Sequence, residues 1–421
     1  MTNNNQHIPS GYKPSPLGII PEDWEVKRLG EVCINDGDYG LNAPATDYDE
    51  NLPTYLRITD IDDDGNFNQS DKKSVNSPLS ENYYLKDGDI VFARTGATVG
   101  KTYLYDKNNG ELVYAGFLIK FTPDKERILP YYLKSQTNTR EYANWVSITS
   151  QRSGQPGINA AEYCSYKFAL PPLAEQQRIV SVLSLWDTAI AKQTALIEKL
   201  TLRKRGLMQQ LLTGKKRLKG FDGEWKRIKL GDIAERITRK NEENNQNVVT
   251  ISAQRGFVVQ TEFFNKSVAS ETLDNYFLVH KDEFCYNKSY SNGYPMGAIK
   301  RLKTFEKAVV TTLYICFALK GETTTNIDFF EQYCESGILN NELIKVANEG
   351  GRAHGLLNVT PYDFFNMHMS VPSINEQNAI ASVLVNVDKE IEIQKQKLAA
   401  MQEQKKGLMQ VLLTGKRRIA I

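Results

Sequence analysis

The sequence has few of the residues that build metal sites, disulfide frameworks and membrane spans. It contains 5 cysteines and 4 histidines in 421 residues, and no two cysteines form a CxxC pair. Single, scattered cysteines are typical of a reducing cytosol, so we expect a cytoplasmic protein without disulfides or structural zinc. The polar N-terminal segment lacks the apolar core of a signal peptide. No run reaches the roughly 18 apolar residues of a membrane span, so we expect no membrane insertion.

Recognisable catalytic motifs are also missing. The stretch GATVGKT (96–102) resembles a phosphate-binding loop, but three residues separate its glycines where that loop requires four. The tetrapeptide NKSY (287–290) faintly resembles the adenine-holding motif of amino-methyltransferases, without its two prolines or a glycine-rich cofactor loop. The histidines have no metal-ligand spacing, and no G-x-S-x-G elbow occurs. The sequence therefore predicts a non-catalytic protein with no cofactor and no metal of its own.

What the sequence does contain is a long internal repeat. The stretch GLMQQLLTGKKRL (206–218) returns as GLMQVLLTGKRRI (407–419), 201 positions later. The same offset carries Trp24 onto Trp225, and it aligns many positions of the segments that precede the two stretches. A module of about 200 residues present twice predicts a pseudo-twofold repeat on one chain, because a solenoid needs more and shorter units.

The last part of each module has the pattern of one long helix. Over 173–211, and in the matching part of the second copy, seam positions recur alternately four and three apart, broken in both copies by a glutamine and a lysine. We predict that the two helices pack antiparallel as a coiled coil. The alternative is that each helix packs only on its own module. The predicted seam residues are Ile179, Leu183, Trp186, Ile190, Ile197, Leu200, Leu207, Leu211, Ile380, Leu384, Val387, Ile391, Leu398, Met401, Leu408 and Leu412.

The predicted fold class is α+β, with two globular heads separated by the two long helices. Short runs rich in β-branched and aromatic residues, such as LVYAGFLIKF (112–121) and AVVTTLYICFAL (308–319), predict strands in the heads. The heads differ strongly in sequence while the helices stay alike, which indicates two different specificities. The predicted divisions are 1–170 for the first head, 171–214 for the central helix, 215–371 for the second head, 372–415 for the C-terminal helix and 416–421 for a basic tail.

The charge of the whole chain does not indicate which class of partner it binds, because the formal net charge is only +2. Residues 203–219, however, hold seven cations and no acid. A basic patch of this density can contact phosphates. The same charges are also those expected at a solvated helix end that faces the negative end of the helix dipole, and both interpretations stay open.

The order of head, long helix, head and long helix resembles the specificity subunit of type I restriction-modification systems over nearly the whole chain. The resemblance depends on LPPLAEQQRIV, VPSINEQNAIASVL and the paired GLMQxLLTGK ends, with weaker echoes in GDIVFARTGATVGK and SGQPGINAAEY. It implies a non-catalytic subunit with two target-recognition domains, each of which reads one half of a split, asymmetric DNA target. It also implies two methyltransferase subunits docked on the helices and two restriction subunits. S-adenosylmethionine, ATP and magnesium would then be bound by those partners.

Candidate DNA contacts follow from the chemistry of recognition. Arg, Lys, Asn and Gln read base edges, while Lys, Arg, Ser and Thr hold phosphates. Polar, glycine-punctuated stretches of the heads are therefore candidates, although each is also what an ordinary surface loop contains. The candidates are Arg57, Thr59, Arg94, Thr95, Lys101, Arg152, Ser153, Gln155 and Asn159 in the first head and Arg255, Asn287, Lys288, Tyr290, Asn292, Arg352 and His354 in the second. The loops around Arg152 and Arg352 align between the heads and rank above the others.

Other interpretations remain open from the sequence alone. The chain has the features of a targeting subunit of another methylation-based defence complex, or of a stand-alone DNA-binding regulator. A coiled-coil scaffold whose heads bind proteins is a further alternative, and it predicts no salt-dependent affinity for DNA. A nucleotide-binding enzyme is the weakest of these alternatives.

Overall fold

The computed structural model describes residues 8–264, 273–321, 323–347 and 357–419. The chain divides into two compact units, of which unit 1 comprises residues 1–192 and 397–421, and unit 2 comprises residues 193–396. Each unit therefore contains one head, the first half of the long helix that follows it, and the second half of the other long helix. No helix of the described ranges is long and apolar enough to cross a membrane.

Unit 1 contains twelve named strands and three short helices before the first long helix. The strands are β1 (Tyr12–Ser15), β2 (Gly18–Pro21), β3 (Glu25–Arg28), β4 (Asp38–Tyr39), β5 (Thr46–Asp47), β6 (Thr54–Leu56), β7 (Lys73–Ser74), β8 (Ile90–Ala93), β9 (Thr102–Leu104), β10 (Leu112–Tyr114), β11 (Leu118–Phe121) and β12 (Lys167–Leu170). The helices are α1 (Pro130–Gln136), α2 (Arg140–Thr149), α3 (Ala160–Cys164) and the long α4 (Leu173–Leu211).

Unit 2 repeats this plan with ten named strands in its described part. The strands are β13 (Lys226–Lys229), β14 (Ala234–Ile237), β15 (Val249–Ser252), β16 (Gly256–Val259), β17 (Phe277–His280), β18 (Phe284–Asn287), β19 (Ala298–Arg301), β20 (Lys307–Val310), β21 (Ile315–Leu319) and β22 (His368–Val371). The helices are α5 (Leu230–Ile233), α6 (Gln260–Phe264), α7 (Ile327–Glu335), α8 (Asn340–Val346), α9 (Pro361–Asn366) and the long α10 (Ile374–Leu412).

The central sheets of the two heads share one strand order. The central sheet of unit 1 has the order β4-β11-β8-β9, and that of unit 2 has the order β14-β21-β18-β19. All neighbours in both sheets are antiparallel. In each head a further strand before the long helix pairs with the strand that follows the repeated tryptophan, Trp24 or Trp225, so that β12 pairs with β3 and β22 with β13. The α+β prediction and the internal repeat are confirmed at the level of strand order.

Two predicted strands are each divided in the structure. The run 112–121 forms β10 and β11, separated by a turn in which Leu118 N donates to Ala115 O. The run 308–319 likewise lies in β20 and β21, with a turn in which Tyr314 N donates to Thr311 O. Predicting each run as one strand was wrong. The chain turns at Gly116 and Phe117 in the first run and at Thr312 and Leu313 in the second, where a glycine or threonine interrupts the apolar residues.

Each head core is completed by residues of both long helices. In unit 1, the fully buried Trp24 and Tyr163 share a cluster with Leu183 of α4 and Leu412 of α10. In unit 2, Phe317 shares a cluster with residues of both helices as well. Of the seam positions, Ile179, Leu183, Leu211, Ile380, Leu384 and Leu412 lie in these two head cores. The ends of the helices therefore pack on the heads as well as on each other.

The middle of the helix pair is held by a smaller apolar cluster and one amide contact. Leu200 of α4 clusters with Val387 and Ile391 of α10. Gln193 Nε2 donates to Gln394 Oε1 at 2.8 Å and to Gln394 O at 3.0 Å. Lys204, after Gln193 in α4, pairs with Asp388, before Gln394 in α10, and Asp187 pairs with Lys405 in the opposite sense, so the two helices run antiparallel. The predicted antiparallel packing of the two helices is confirmed.

Candidate nucleic-acid interface

Reciprocal ion pairs join the end of each long helix to the start of the other. In unit 1, Arg418, which follows α10, contacts Glu175 of α4 with Nη2 and Oε2 2.6 Å apart. In unit 2, Arg217, which follows α4, contacts Glu376 of α10 with Nε and Oε1 2.6 Å apart. We call these two pairs the clasps. The last arginine of each repeated basic phrase thus forms an internal ion pair, which joins the two helices within each unit.

A second set of reciprocal pairs explains the lysines that interrupt the seam. Lys204 of α4 lies 2.7 Å from Asp388 of α10, and Lys405 of α10 pairs with Asp187 of α4. Each aspartate also accepts a hydrogen bond from a side chain of the head in its own unit. A lysine at a seam position is compatible with the coiled coil here because the facing helix supplies its counter-ion. The register of the helices is therefore tied to the heads.

In the first head, the structure brings two predicted contact stretches together. Gly96 N donates to Pro156 O at 3.0 Å, and Ile158 N donates to Arg94 O at 2.9 Å. Thr95 Oγ1 also lies 3.4 Å from Pro156 O. The Arg94 guanidinium is 4.9 Å from the centre of the Tyr39 ring, a cation–π distance. The stretches around residues 95 and 155 form one surface, although they are distant in the sequence.

Four other candidates of the first head already hold its loops in place. A guanidinium or ammonium group with a close carboxylate partner has less freedom to contact DNA than an unpaired one. The four candidates with internal partners are Arg57 with Asp60 (2.6 Å), Lys101 with Asp63 (2.7 Å), Arg152 with Glu162 (2.5 Å) and Asn159 with the amide of Glu162 (2.9 Å).

The remaining candidates of the first head have exposed side chains. They are Ser153, Gln155 and Thr59, which lies beside Asp60.

In the second head, the candidates lie around the turn between β18 and β19. Asn287 Nδ2 donates to Ile251 O at 3.3 Å, and burial lowers the pKa of the neighbouring Lys288. Tyr290 is 65% exposed, and Asn292 is exposed two residues further on. Arg255 is exposed in the turn between β15 and β16. The remaining candidates, Arg352 and His354, lie outside the described residues.

A cleft of about 340 Å³, which we call cleft 1, opens in the first head beside Lys101. Lys101 Nζ bridges to Asp63, so the turn between β8 and β9 is tied to the turn that follows β6. Lys134, at the end of α1, reaches the same cleft, and its Nζ lies 3.3 Å from Asn138 Oδ1. The cleft is further lined by Tyr142, whose hydroxyl donates to Gly100 O at 2.8 Å. Positively and negatively charged side chains therefore line the same cleft.

A larger cleft of about 730 Å³, cleft 2, opens in the second head. Gln254 Nε2 donates to Asn292 O at 2.9 Å, which ties the β15–β16 turn to the β18–β19 turn. Asn340, at the start of α8, and Arg205 of α4 complete the polar part of the lining. At one side Glu335 receives both the Lys300 ammonium at 2.6 Å and the Tyr294 hydroxyl at 2.9 Å. The polar lining of cleft 2 thus contains several amide side chains, whereas the polar lining of cleft 1 is mainly charged.

Lys134 carries a pH-dependent cost to stability. Burial, followed by the like charge of Lys405, lowers its pKa from 10.5 to about 8. We expect Lys134→Met to raise the free energy of unfolding of unit 1 at pH 7 by about 1–2 kcal/mol. Between pH 8 and 10.5 the unfolded chain holds this proton and the native chain does not, so wild-type stability rises with pH. The advantage of the variant should therefore shrink across that window.

Urea unfolding of wild type and variant at pH 7 and pH 10.5 measures this difference. Lys86→Met, at an exposed lysine of the same head, is the matched control. A stability difference for Lys134→Met that stays constant from pH 7 to 10.5 would contradict the assignment.

Several residues of the clefts were not among the candidates from the sequence. No local sequence pattern distinguishes Gln254, Lys134 and Asn340 from ordinary polar surface residues. The turn glycines near them were the only sign in the sequence that their regions are of interest. Arg205 lies in the basic run, where the alternative of a helix end was equally open. Within the described ranges, no group of three or more His, Cys, Asp or Glu residues is placed to hold a metal ion.

Comparison with known protein families gives two matches along the chain. Residues 21–202 and residues 222–403 each match the family described as the type I restriction modification DNA specificity domain. The matched segments together cover both heads and most of both long helices. The repeat found in the sequence is thus a repeat of one family domain.

Relatives of known name match nearly the full length. The chain is 26% identical to the putative type I restriction enzyme MjaX specificity subunit of Methanocaldococcus jannaschii, covering 97% of both chains. It is 25% identical to the type I restriction enzyme MjaVIII specificity subunit of the same organism, covering 95% of this chain and 94% of the relative.

Two solved structures share the fold. One, from a study of complex assembly and conformational transition of the type I R-M system, has a TM-score of 0.55 at 16% identity and covers 94% of this chain and 99% of its own. The other, a type I restriction-modification S subunit from M. genitalium, has a TM-score of 0.52 at 13% identity and covers 98% of both chains.

Proposed function

The chain belongs to the type I restriction-modification DNA specificity family, and we propose that its two heads each read one half of a split, asymmetric DNA target. The main support for this proposal is a comparison of the two heads. The two heads share the strand order of their central sheet and are closed in the same way by the two helices, while their clefts carry different side chains. A repeated frame with different reading surfaces is what a target with two unlike halves requires.

We further propose that the long helices space the heads and dock two methyltransferase subunits. Leu185 and Leu202 of α4 and Ile393 of α10 are exposed by 70%, 69% and 60%. Large apolar side chains exposed on both helices are available for contact with a partner protein, and the docking role itself comes from the family resemblance. Two methyltransferase subunits are proposed because the family domain occurs twice in the chain.

The same proposal assigns the chemistry to the partners. S-adenosylmethionine would be bound by the methyltransferase subunits, and ATP and magnesium by two restriction subunits, all in the cytoplasm. This chain would contribute target selection through the side chains of its heads and would take no direct part in methyl transfer or cleavage.

Mapping of methylated adenines tests the proposal. We expect the chain, expressed with the methyltransferase subunit of its own system in a host without other adenine methylation, to produce one split motif with two unlike halves. Genome-wide single-molecule sequencing reads the motif directly. A palindromic motif would contradict the assignment of different halves to different heads. DNA affinity of the complex that does not fall with salt would favour a protein-binding scaffold instead.

A further inference from the structure

Clefts 1 and 2 occupy the same place in the two heads. Strands β8 and β9 hold the positions in their sheet that β18 and β19 hold in theirs. Cleft 1 lies between the β8–β9 turn and the segment from Lys134 to Val146. Cleft 2 lies between the β18–β19 turn and the segment from Cys334 to Leu343. The frame of the repeat therefore presents one opening in each unit.

A contact between two turns borders each opening, and its chemistry differs between the heads. In cleft 1 the turns are joined by the ion pair of Lys101 and Asp63, 2.7 Å long. In cleft 2 the turns are joined by the hydrogen bond from Gln254 to the Asn292 carbonyl, 2.9 Å long. The contact that borders the opening is therefore an ion pair in one head and a neutral amide hydrogen bond in the other.

The clefts also hold polar groups that the fold does not require. Lys134 is half-buried at a wall of cleft 1, where burial lowers its pKa, so its charge is costly there. Asn340 is half-buried in cleft 2, and its side chain makes no hydrogen bond within the described residues. Arg205 is exposed on α4 at the edge of the same cleft. The Asn340 side chain is therefore available to a ligand without breaking an internal hydrogen bond, whereas Lys101, Asp63 and Gln254 exchange their present partners for a base on binding.

The bases that suit each lining follow from hydrogen-bonding chemistry. Lysine donates to the O6 and N7 of guanine, and aspartate accepts from the N4 amine of cytosine, so the Asp63–Lys101 pair complements a G·C pair. Asparagine and glutamine both donate to and accept from adenine, so Gln254, Asn292 and Asn340 complement an A·T pair. The tips of paired strands fit the major groove of DNA. The β8–β9 turn of cleft 1 and the β18–β19 turn of cleft 2 are tips of this kind.

We propose that clefts 1 and 2 are the base-reading sites of the two heads, with Asp63 and Lys101 selecting a G·C pair in one half-site and Gln254, Asn292 and Asn340 selecting an A·T pair in the other. This assignment rests on the proposed function, because it presumes that each head reads one half of a split target. Among these residues, Asp63, Gln254 and Asn340 are additions to the contacts expected from the sequence.

Methylation maps of single variants test the assignment. We expect Asn340→Ala and Gln254→Ala to relax one A·T position in one half of the motif, so that methylation at sites with another base there rises about 10-fold or more relative to wild type. Asp63→Asn and Lys101→Met should relax a G·C position in the other half to a similar degree. The unaffected half of the motif serves as the internal reference in each map.

A second variant separates reading from folding. Asn340→Asp keeps the shape of the side chain but can only accept hydrogen bonds, so it should shift the preferred base from adenine toward cytosine. Asn341→Ala is the matched control, because Asn341 is the exposed neighbour on α8 and does not line the cleft. A loss of structure cannot produce a new base preference.

The outcomes are distinguishable from a failure of the proposed function. A wild-type map without a split motif would overturn the proposed function and this assignment together. A split wild-type motif that all four single substitutions leave unchanged would overturn the cleft assignment alone. Relaxation of both halves by one variant, or a shift by Asn341→Ala equal to that of Asn340→Ala, would also overturn it.

Discussion

Trp24→Ala should lower the free energy of unfolding of unit 1 by about 4–5 kcal/mol, near the upper end for truncation of a buried aromatic residue. Trp24 is 0% exposed and lies in the core shared by the head and both long helices. Its Nε1 donates to Glu175 Oε2 at 3.0 Å, so the substitution removes a hydrogen bond to a buried carboxylate as well as the packing of the ring. The Glu175 carboxylate, which also forms the clasp with Arg418, thereby loses one of its hydrogen-bond donors.

The equivalent substitution in the second unit provides the comparison. Trp225 is only half-buried, and its Nε1 finds no acceptor among the described residues. Its ring lies 5.8 Å from the Arg217 guanidinium. We expect Trp225→Ala to cost about 2–3 kcal/mol in unit 2, because less surface is uncovered and no hydrogen bond is lost.

Urea or thermal unfolding of the purified variants measures both effects. Trp24→Phe keeps most of the volume and removes the Nε1 donor, so its cost should lie between those of wild type and Trp24→Ala. Equal destabilisation by Trp24→Ala and Trp225→Ala would show that the two clasps do not differ in the way described.

Gly415→Ala is expected to cost about 3–4 kcal/mol, and Gly214→Ala about 1–2 kcal/mol. Both glycines end a long helix with a positive φ, +71° for Gly415 and +70° for Gly214, so any side chain is strained at either site. The difference comes from the space around them. A Cβ at 415 would lie 2.5 Å from Pro21 Cδ, whereas a Cβ at 214 would lie 3.4 Å from the Trp225 ring.

The same unfolding measurements separate strain from overpacking. A second substitution, Pro21→Ala, removes the clashing atom, so the Gly415→Ala/Pro21→Ala pair should recover part of the cost of Gly415→Ala. If the pair is as unstable as the sum of the two single substitutions, the close approach to Pro21 is not the cause.

The long helices show how far sequence patterns reach. The four-and-three spacing of apolar residues predicted a helix over 173–211, and α4 has these bounds. The two interruptions of the seam were visible too, as a glutamine and a lysine in each copy. Their partners were not, because the pattern of one helix does not state which residue of the other helix faces it. Only the structure pairs Gln193 with Gln394 and Lys204 with Asp388.

The candidate DNA contacts show the limit of residue type as a guide. Arginine, lysine and asparagine suit both base recognition and internal ion pairs, so residue type alone could not separate Arg57 from the loop around Arg152 and Gln155, which ranked higher only because it aligns between the heads. In the structure Arg57 is held by Asp60, while Gln155 is exposed. Which candidate contacts DNA remains a prediction, and the clefts add residues that no local pattern marked.

The sequence by itself determined the duplication, the family, the long helices and the difference between the heads, because these depend on spacing and similarity along the chain. The tertiary structure alone decided how the repeated GLMQxLLTGK ends are used. Each end closes the unit that contains the start of the other helix, through Arg217 with Glu376 and Arg418 with Glu175. The same holds for the clefts, whose walls come from turns and helices far apart in the chain. Such pairings depend on distances in space, and the order of residues does not contain them.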